Sequence, residues 1–308
     1  MPLKLKSLFS LLDSNPSEQD CIDYLENITW KGKMPPSPCD PSSKVYKCAN
    51  NKYKCKKCGK CFTTRSLTVF RHSRLSLKKI FFSLYLFVSR KKGISSCQLS
   101  RELDITQKSS WRLLNKLRGS LEQSNFIKKM LEGTVEIDET FIGGKNGNRH
   151  WNKKVPNSQG RSWKDKVPVW GAIERNGNLI CQAVPNTKQI TLEPIIRANV
   201  KEGSNVFTDE WLAYKNLGKW FNHQIVNHRI KQYVNGKATT NSIENPWSHL
   251  KRMIYGTYHW VSKKHLQGYA DEFTFRFNTR KYSGQERFDL ALASAVGKCS
   301  TYEELISC

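Results

Sequence analysis

The sequence predicts a multidomain α/β chain in which a small ribbon-like module and a helical pair precede a larger mixed-sheet domain. Three observations support this. A C-x-x-C-G knuckle, the tight turn with which two thiolates grip one metal ion, lies in YKCKKCGKCF (residues 53–62). Two helix-like runs joined by a short turn occupy ISSCQLSRELDITQKSSWRLLNKLR (residues 94–118). From Val135 onward, short β-branched and aromatic runs bounded by Gly and Asn replace the helical spacing.

Residues 1–36 read as a helical lead. SEQDCIDYLE (residues 17–26) has an acid-rich first turn and 3–4 spacing, and MPPSP (residues 34–38) ends it. Residues 37–75 form the zinc-ribbon-like module. A ribbon needs a second Cys pair upstream of the knuckle, and SPCD (residues 37–40) offers one Cys. Cys39, Cys55 and Cys58 are therefore the candidate ligands of one structural Zn²⁺, with Cys48, Cys61 or Asp40 as substitutes for the missing donor. A ribbon folding without metal, its Cys acting as small buried hydrophobes, is the alternative.

Residues 76–130 read as a helical DNA-binding domain. LKKIFFSLYLFV (residues 77–88) suits a buried helix. The following pair, with its turn at Asp104, Ile105 and Thr106, has helix-turn-helix spacing, so its second helix could enter a major groove. Gln107, Lys108, Ser109 and Arg112 are the candidates to face DNA, while Leu99, Leu103, Ile105, Trp111, Leu114 and Leu117 hold the helices together. The alternative is an ordinary helical hairpin.

Residues 131–285 read as the larger mixed-sheet domain. Strands are expected over 135–142, 167–175, 179–184 and 205–208, with a hairpin turn at Asn176-Gly177. A further short strand is expected over 224–226. Helices are expected over 191–199, 210–217, 241–255 and 266–278, and residues 286–308 are left as a C-terminal tail. Strand, hairpin strands, helix, strand, helix and closing helix is the order of an RNase H-like domain.

Composition narrows the partners. Lys and Arg number 51 against 26 Asp and Glu, a formal charge of +25 that implies a polyanionic partner. The charge is uneven: residues 41–101 hold sixteen Lys or Arg and no acid. A ribosome-like or membrane-surface protein could share that run. The ten Cys, six of them between Cys39 and Cys97, do not form a secreted framework. LFSLL (residues 8–12) is too short for a signal peptide, and IFFSLYLFV (residues 80–88) falls short of the about 20 residues of a membrane span. An intracellular chain with reduced thiols and no membrane partner is expected.

Against that basic background stand three acids, each in its own motif. Asp138 lies mid-strand in VEIDET, Asp209 ends a strand in VFTDEW, and Glu244 opens a helix in TNSIENPW. Two strand carboxylates and one helical carboxylate can converge on a pair of divalent cations that clamps the attacking and leaving oxygens of a phosphodiester. Hard oxygen donors suit Mg²⁺ or Mn²⁺. Glu136, Glu139 and Glu210 are neighbouring alternatives. Strand alternation puts Glu136 on the face of Asp138 and Glu139 on the other.

Four motifs in order carry a resemblance: VEIDETFIGGK (135–145), TDEWLAY (208–214), TNSIENPWSHLKR (240–252) and YHWVSKKHLQGYADEFTFRFNTR (258–280). With residues 91–111, they make the chain similar, over residues 18–282, to the ISXO-like DDE transposases of the bacterial insertion-sequence group related to eukaryotic Merlin elements. The resemblance implies Asp138, Asp209 and Glu244 as catalytic ligands of two Mg²⁺ (or Mn²⁺). It implies binding of double-stranded DNA, at element ends and target, by a homodimer or higher oligomer in a synaptic complex. It also implies hydrolysis at the element ends and transfer of the freed 3′-OH. The chain would work at the nucleoid of a bacterium or in the nucleus of a eukaryote. Two departures stand out: Thr239 where many relatives carry His, and the reduced upstream Cys pair. An inactive or domesticated DNA-binding regulator is the alternative, and an RNase H-like nuclease acting on RNA or junctions is a third reading. Lys251 and Arg252, two helical turns after Glu244, and the pair Arg276 and Arg280 read either as phosphate contacts or as a solvated helix face.

Overall fold

The computed structural model describes residues 7–122, 129–144, 146–156, 158, 162, 164–226, 239–297, 301 and 303–304. In chain order the elements are α1 (Leu8–Ser14), α2 (Glu18–Trp30), β1 (Val45–Lys47), β2 (Lys52–Cys55) and β3 (Cys61–Thr63). Next come α3 (Leu77–Ser89), α4 (Ser96–Leu103), α5 (Gln107–Ser120), β4 (Thr134–Ile142), β5 (Val167–Glu174) and β6 (Leu179–Ala183). The chain continues through α6 (Gln189–Asn199), β7 (Asn205–Thr208), β8 (Asn222–Ile225), α7 (Asn241–Met253), α8 (Leu266–Asn278) and α9 (Gly284–Ser294). It divides into two compact units, residues 1–125 with 281–308, and residues 126–280.

The first unit is built around α3. Ten of its thirteen residues are buried, because a helix apolar on every side must be covered on every side. Its start is fixed from another element: Glu18 of α2 accepts the Leu77 and Lys78 N–H groups at 2.8 and 3.3 Å. α4 and α5 follow with the expected three-residue turn, Asp104 taking a left-handed φ of +48° and Thr106 capping α5. β1, β2 and β3 form an antiparallel ribbon whose small core is Tyr53, Cys55 and Phe62.

The expected tail is a correction. Gly284–Ser294 is a capped helix, α9, and belongs to the first unit. Phe288 packs edge-on against Phe81 at 5.4 Å and Tyr24 at 6.2 Å, and the Tyr24 hydroxyl donates to Asp289. Val69 N donates to the Ala295 carbonyl at 2.8 Å, tying the end of α9 to the segment after the ribbon. Polar spacing in QERFDLALAS hides this role: the helix buries only Phe288, Ala291 and Leu292.

The second unit holds a five-stranded sheet in the order β6-β5-β4-β7-β8. β4, β5 and β6 form an antiparallel meander, and β7 and β8 run parallel to β4. Strand order 3-2-1-4-5 with helices on both faces is the RNase H-like arrangement. α6 covers one face over Val135, Ile137, Trp170 and Val206, and α7 and α8 cover the other over Ile142, Val169 and Ile173. The helix expected over residues 210–217 is instead two short 3₁₀ turns, Leu212–Tyr214 and Leu217–Lys219. The Asp209 carboxylate takes the Trp211 N–H at 3.0 Å, and this turn replaces a helical start. Among the described residues no helix is long and apolar enough to cross a membrane.

Phe288→Ala should destabilise the first unit by about 3–5 kcal/mol, the usual cost of emptying a buried aromatic site. Chemical denaturation followed by circular dichroism measures it. An unchanged first transition would detach α9 from that core.

Candidate active site

The parallel pairing of β4 with β7 sets the geometry. Thr134, Val135 and Glu136 lie opposite Asn205, Val206 and Phe207. Carried two residues further, the same register sets Asp138 beside Asp209, just where β7 ends. Asp138 is at the centre of β4 and faces α7: the Trp247 indole N–H donates to its Oδ2 at 3.0 Å. Trp247 is three residues after Glu244 and so shares its side of the helix.

Two features hold α7 there. Glu136, fully buried, accepts from Ser242 N at 2.8 Å, Ser242 Oγ at 2.9 Å, Ile243 N at 3.3 Å and Arg175 Nε at 2.9 Å. A buried carboxylate is costly unless its oxygens are filled, and four donors fill these. The N-cap residue Thr240 makes no side-chain capping bond of its own, so the strand carboxylate caps the helix and meets its positive end. The second feature is Gly171, opposite Asp138 on β5. A Cβ there would stand 2.3 Å from Trp247 Cη2, so the indole lies directly on the glycine backbone.

On the opposite face, the buried Tyr214 hydroxyl donates to Glu139. Burial pushes its pKa well up, and the charges of Glu139, Asp138 and Asp209 push it further. Tyr214 thus stays a donor and senses three carboxylates at once. His223 of β8 lies 2.9 Å from Thr208 Oγ1, and burial lowers its pKa. Glu244 lies in the first turn of α7 with Thr240 Oγ1 3.5 Å from its Oε1. The register thus brings Asp138 and Asp209 together, and Glu136 and Trp247 bring the turn of Glu244 to the same strand. The three acids do not close into a group whose ligand oxygens all lie within 4.8 Å of one another; among the described residues Cys39, Cys55 and Cys58 do form such a group.

The alternatives to the triad fall into place. Glu136 shares the face of Asp138 as expected, but its oxygens cap α7. Glu139 points to Tyr214. Lys251 and Arg252 are exposed in the last turn of α7, Arg252 donating to Ser248 Oγ at 2.8 Å. Arg276 is a correction: it is buried in an ion pair with Glu272 at 2.7 Å and is not a phosphate contact. Its charge is absorbed within α8, which spacing alone could not reveal.

In the first unit, the Cys39 thiol lies 3.3 Å from that of Cys55 and 3.2 Å from that of Cys58. Ser37 Oγ is 3.2 Å from the Cys39 sulfur. The hydroxyls of Ser37 and Ser43 and the Cys58 N–H pull the Cys55 thiol down to about 5, favouring the thiolate that a metal needs. Three converging thiols suit zinc. Of the expected substitutes, Asp40 is taken by Lys57 at 2.8 Å and by Ser42, and Cys48 and Cys61 lie outside the group. Gln107 and Lys108 are exposed on the first turn of α5. Arg112 is half-buried and, with His72, Arg74 and Lys116, lines a basic cavity of about 410 Å³.

Comparison with known proteins shows the family. Residues 130–278 match the ISXO2-like transposase domain. An uncharacterized transposase-like protein of Haemophilus influenzae is 35% identical over 103 residues, covering 33% of this chain and 82% of that protein. The chain belongs to the ISXO2-like transposase family. An uncharacterized protein in transposable element ISH50 of Halobacterium salinarum is 26% identical over 295 residues, 91% of this chain and 97% of its own length. The solved structure of the Mos1 strand transfer complex overlaps 71% of this chain and 79% of its own at 13% identity, with a TM-score of 0.25, too loose a likeness to weigh.

Trp247, Gly171 and the capping role of Glu136 escape a reading of the sequence. Only Gly171 leaves a signal, a lone glycine inside a strand pattern marking a close approach. Gly171→Ala should expel the indole and lower stability by about 1–3 kcal/mol, as overpacking does. Thermal melting checks this, and Trp247→Ala in the same chain should relieve the clash. A single variant that melts like the parent would disprove the contact.

Proposed function

We propose that this transposase cuts and joins DNA at the site of Asp138, Asp209 and Glu244. The observation that supports the reading is the β4–β7 register, which if continued past Glu136 and Phe207 would bring Asp138 beside Asp209, next to the strand to which α7 is clamped. The donor set is all hard oxygen, which suits Mg²⁺ or Mn²⁺. Two such ions held by these residues would activate a water or 3′-hydroxyl and stabilise the departing oxygen. Asp138, whose orientation is set by the Trp247 indole, would be the shared ligand. Lys251 and Arg252 would hold phosphates along the α7 end of the site.

Double-stranded DNA, as element ends and target, is the substrate on this reading. Gln107 and Lys108 are the groove-facing candidates, with Arg112 acting through its basic cavity. Cutting and joining two ends calls for a homodimer or larger synaptic assembly. Cys39, Cys55 and Cys58 would hold one structural Zn²⁺ that stiffens the ribbon.

The test is an end-cleavage assay with duplexes carrying the inverted repeats that flank the gene, in Mg²⁺, Mn²⁺ or chelator. Asp138→Asn should reduce nicking by at least ~100-fold, several kcal/mol of lost metal stabilisation, while DNA affinity stays near parental. Residual cleavage close to the parent would remove Asp138 from the mechanism. Binding with no cleavage by the parent chain would instead mark a DNA-binding regulator. Cys55→Ser should release one zinc per chain, read by metal analysis of the purified protein. Equal zinc in both forms, or none in the parent, would refute the ribbon site.

A further inference from the structure

Beyond the acids, the second unit has a cavity of about 480 Å³ at the shared end of β4 and α7. That volume lies in the range of small-ligand sites, about 300–1,000 Å³. Ile142, Ile254 and Val261 give it an apolar floor, Tyr255 and Trp260 aromatic walls, and Lys166 and Lys251 a cationic rim. No Asp or Glu is among its lining residues, so it is not a cation site. We propose that this cavity receives one unpaired nucleotide of the DNA, its base against Trp260 and its phosphate on the two lysines. The inference rests on the DNA substrate proposed above.

The local chain is shaped to present that indole. α7 ends in a π turn, Ile254–Tyr258, of the kind often found at functional sites. His259 then takes φ +61° and ψ −49°, and Trp260 N donates to the Tyr258 carbonyl at 2.7 Å. This is a strained γ-turn, which persists only where its surroundings hold it. Its effect is to separate two aromatics. Tyr258 turns inward, its hydroxyl on Glu272 at 2.6 Å and its ring 4.7 Å from Tyr269. Trp260 turns outward and is 70% exposed. A large apolar ring kept in water beside lysines makes a stacking platform, since every base has a π-face and every nucleotide a phosphate.

The opposite wall is fixed as well. Tyr255 donates its hydroxyl to the Gly143 carbonyl at 3.0 Å and so pins the exit of β4. A Cβ on Gly143 would lie 2.9 Å from Lys166 Cγ and 3.1 Å from its Cα, so the glycine lets the lysine reach the rim.

Distance ties the cavity to the acids. Ile142 is four residues beyond Asp138 on the same strand face, about 13 Å at ~3.3 Å per residue. Lys251 is seven residues beyond Glu244, about 10.5 Å at 1.5 Å per residue. At about 3.4 Å per nucleotide of duplex, the captured base would lie within about four nucleotides of the cut. Drawing it out costs pairing and stacking, which the aromatic wall offsets, and it leaves the neighbouring strand free to bend toward the acids.

The experiment uses the full chain and end duplexes with 2-aminopurine placed singly at each position around the cut. At one position within about four nucleotides of the cut, emission should depart from that of the free duplex. Trp260→Ala should abolish that response, and Trp260→Phe should keep most of it. Affinity for a duplex already unpaired at that position should fall about 5- to 150-fold in Trp260→Ala, the range for losing one base–aromatic stack. A chain that binds and nicks end DNA with no responsive position, or with a response unchanged in Trp260→Ala, overturns the pocket and leaves the proposed function standing. A Trp260→Ala chain that loses self-association while every 2-aminopurine response persists would assign the face to a second copy and likewise overturn it. A parent chain that binds no DNA removes both readings.

Discussion

Glu136 decides where α7 begins relative to the central strand. Its carboxylate is buried on the central strand beneath α7 and meets the first N–H groups of a helix 106 residues away in sequence. Charge and helix end each need the other: the helix leaves donors that its own cap residue does not fill, and the carboxylate needs donors that water cannot supply. Arg175 completes the shell from the neighbouring strand and stacks over Phe207 at 5.1 Å, so the cap also reaches β7. With α7 seated this way, Trp247 falls on Gly171, its N–H finds Asp138, and Glu244 is carried to the same face. The placement of Glu244 thus depends on a residue that is not one of the three acids.

The strands were legible because the sheet obeys simple alternation. Val135, Ile137 and Glu139 turn to the α6 side and Glu136, Asp138 and Ile142 to the α7 side, as period-two spacing requires. The central position of Asp138 and the strand-end position of Asp209 follow from the same pattern. What stayed hidden depends on distant partners. Glu136 reads as one more acid beside Asp138 until the start of α7 arrives above it. Arg276 reads as a free cation until Glu272, one turn earlier, is seen to be buried with it. The role of α9 was illegible for the opposite reason. Only three of its eleven residues are buried, so its sequence looks like a tail although Phe288 closes an aromatic cluster.

The ribbon shows a middle case. The C-x-x-C-G knuckle predicts its own tight turn, and Gly59 takes the φ of +66° such a turn demands. The identity of the third thiol was readable from SPCD. The fate of the remaining donors was not, because Asp40 stands next to Cys39 in sequence yet is drawn away by Lys57. Ser37, with no ligand signature, lies as close to the Cys39 sulfur as Cys58 does, at 3.2 Å.

The contrast between a +25 chain and an acid-lined site has a physical consequence. A strongly basic protein attracts a polyanion over its whole surface, and that attraction is general to any nucleic acid. Asp138 and Asp209 act the other way. On the proposed reading, carboxylates gathered at one site repel each other and repel a phosphate, and only bound cations reverse both effects. Trp247 supplies a neutral donor to Asp138, which stabilises that carboxylate without adding charge. On the proposed reading, general attraction and chemistry are therefore separated. The lysines and arginines bring DNA to the surface, and the acids engage a phosphodiester only where divalent cations are present. Cationic residues inside the acid cluster would neutralise it but would also displace those cations, and Lys251 and Arg252 stand two turns along the helix from Glu244, near enough to hold a strand and too far to fill the site.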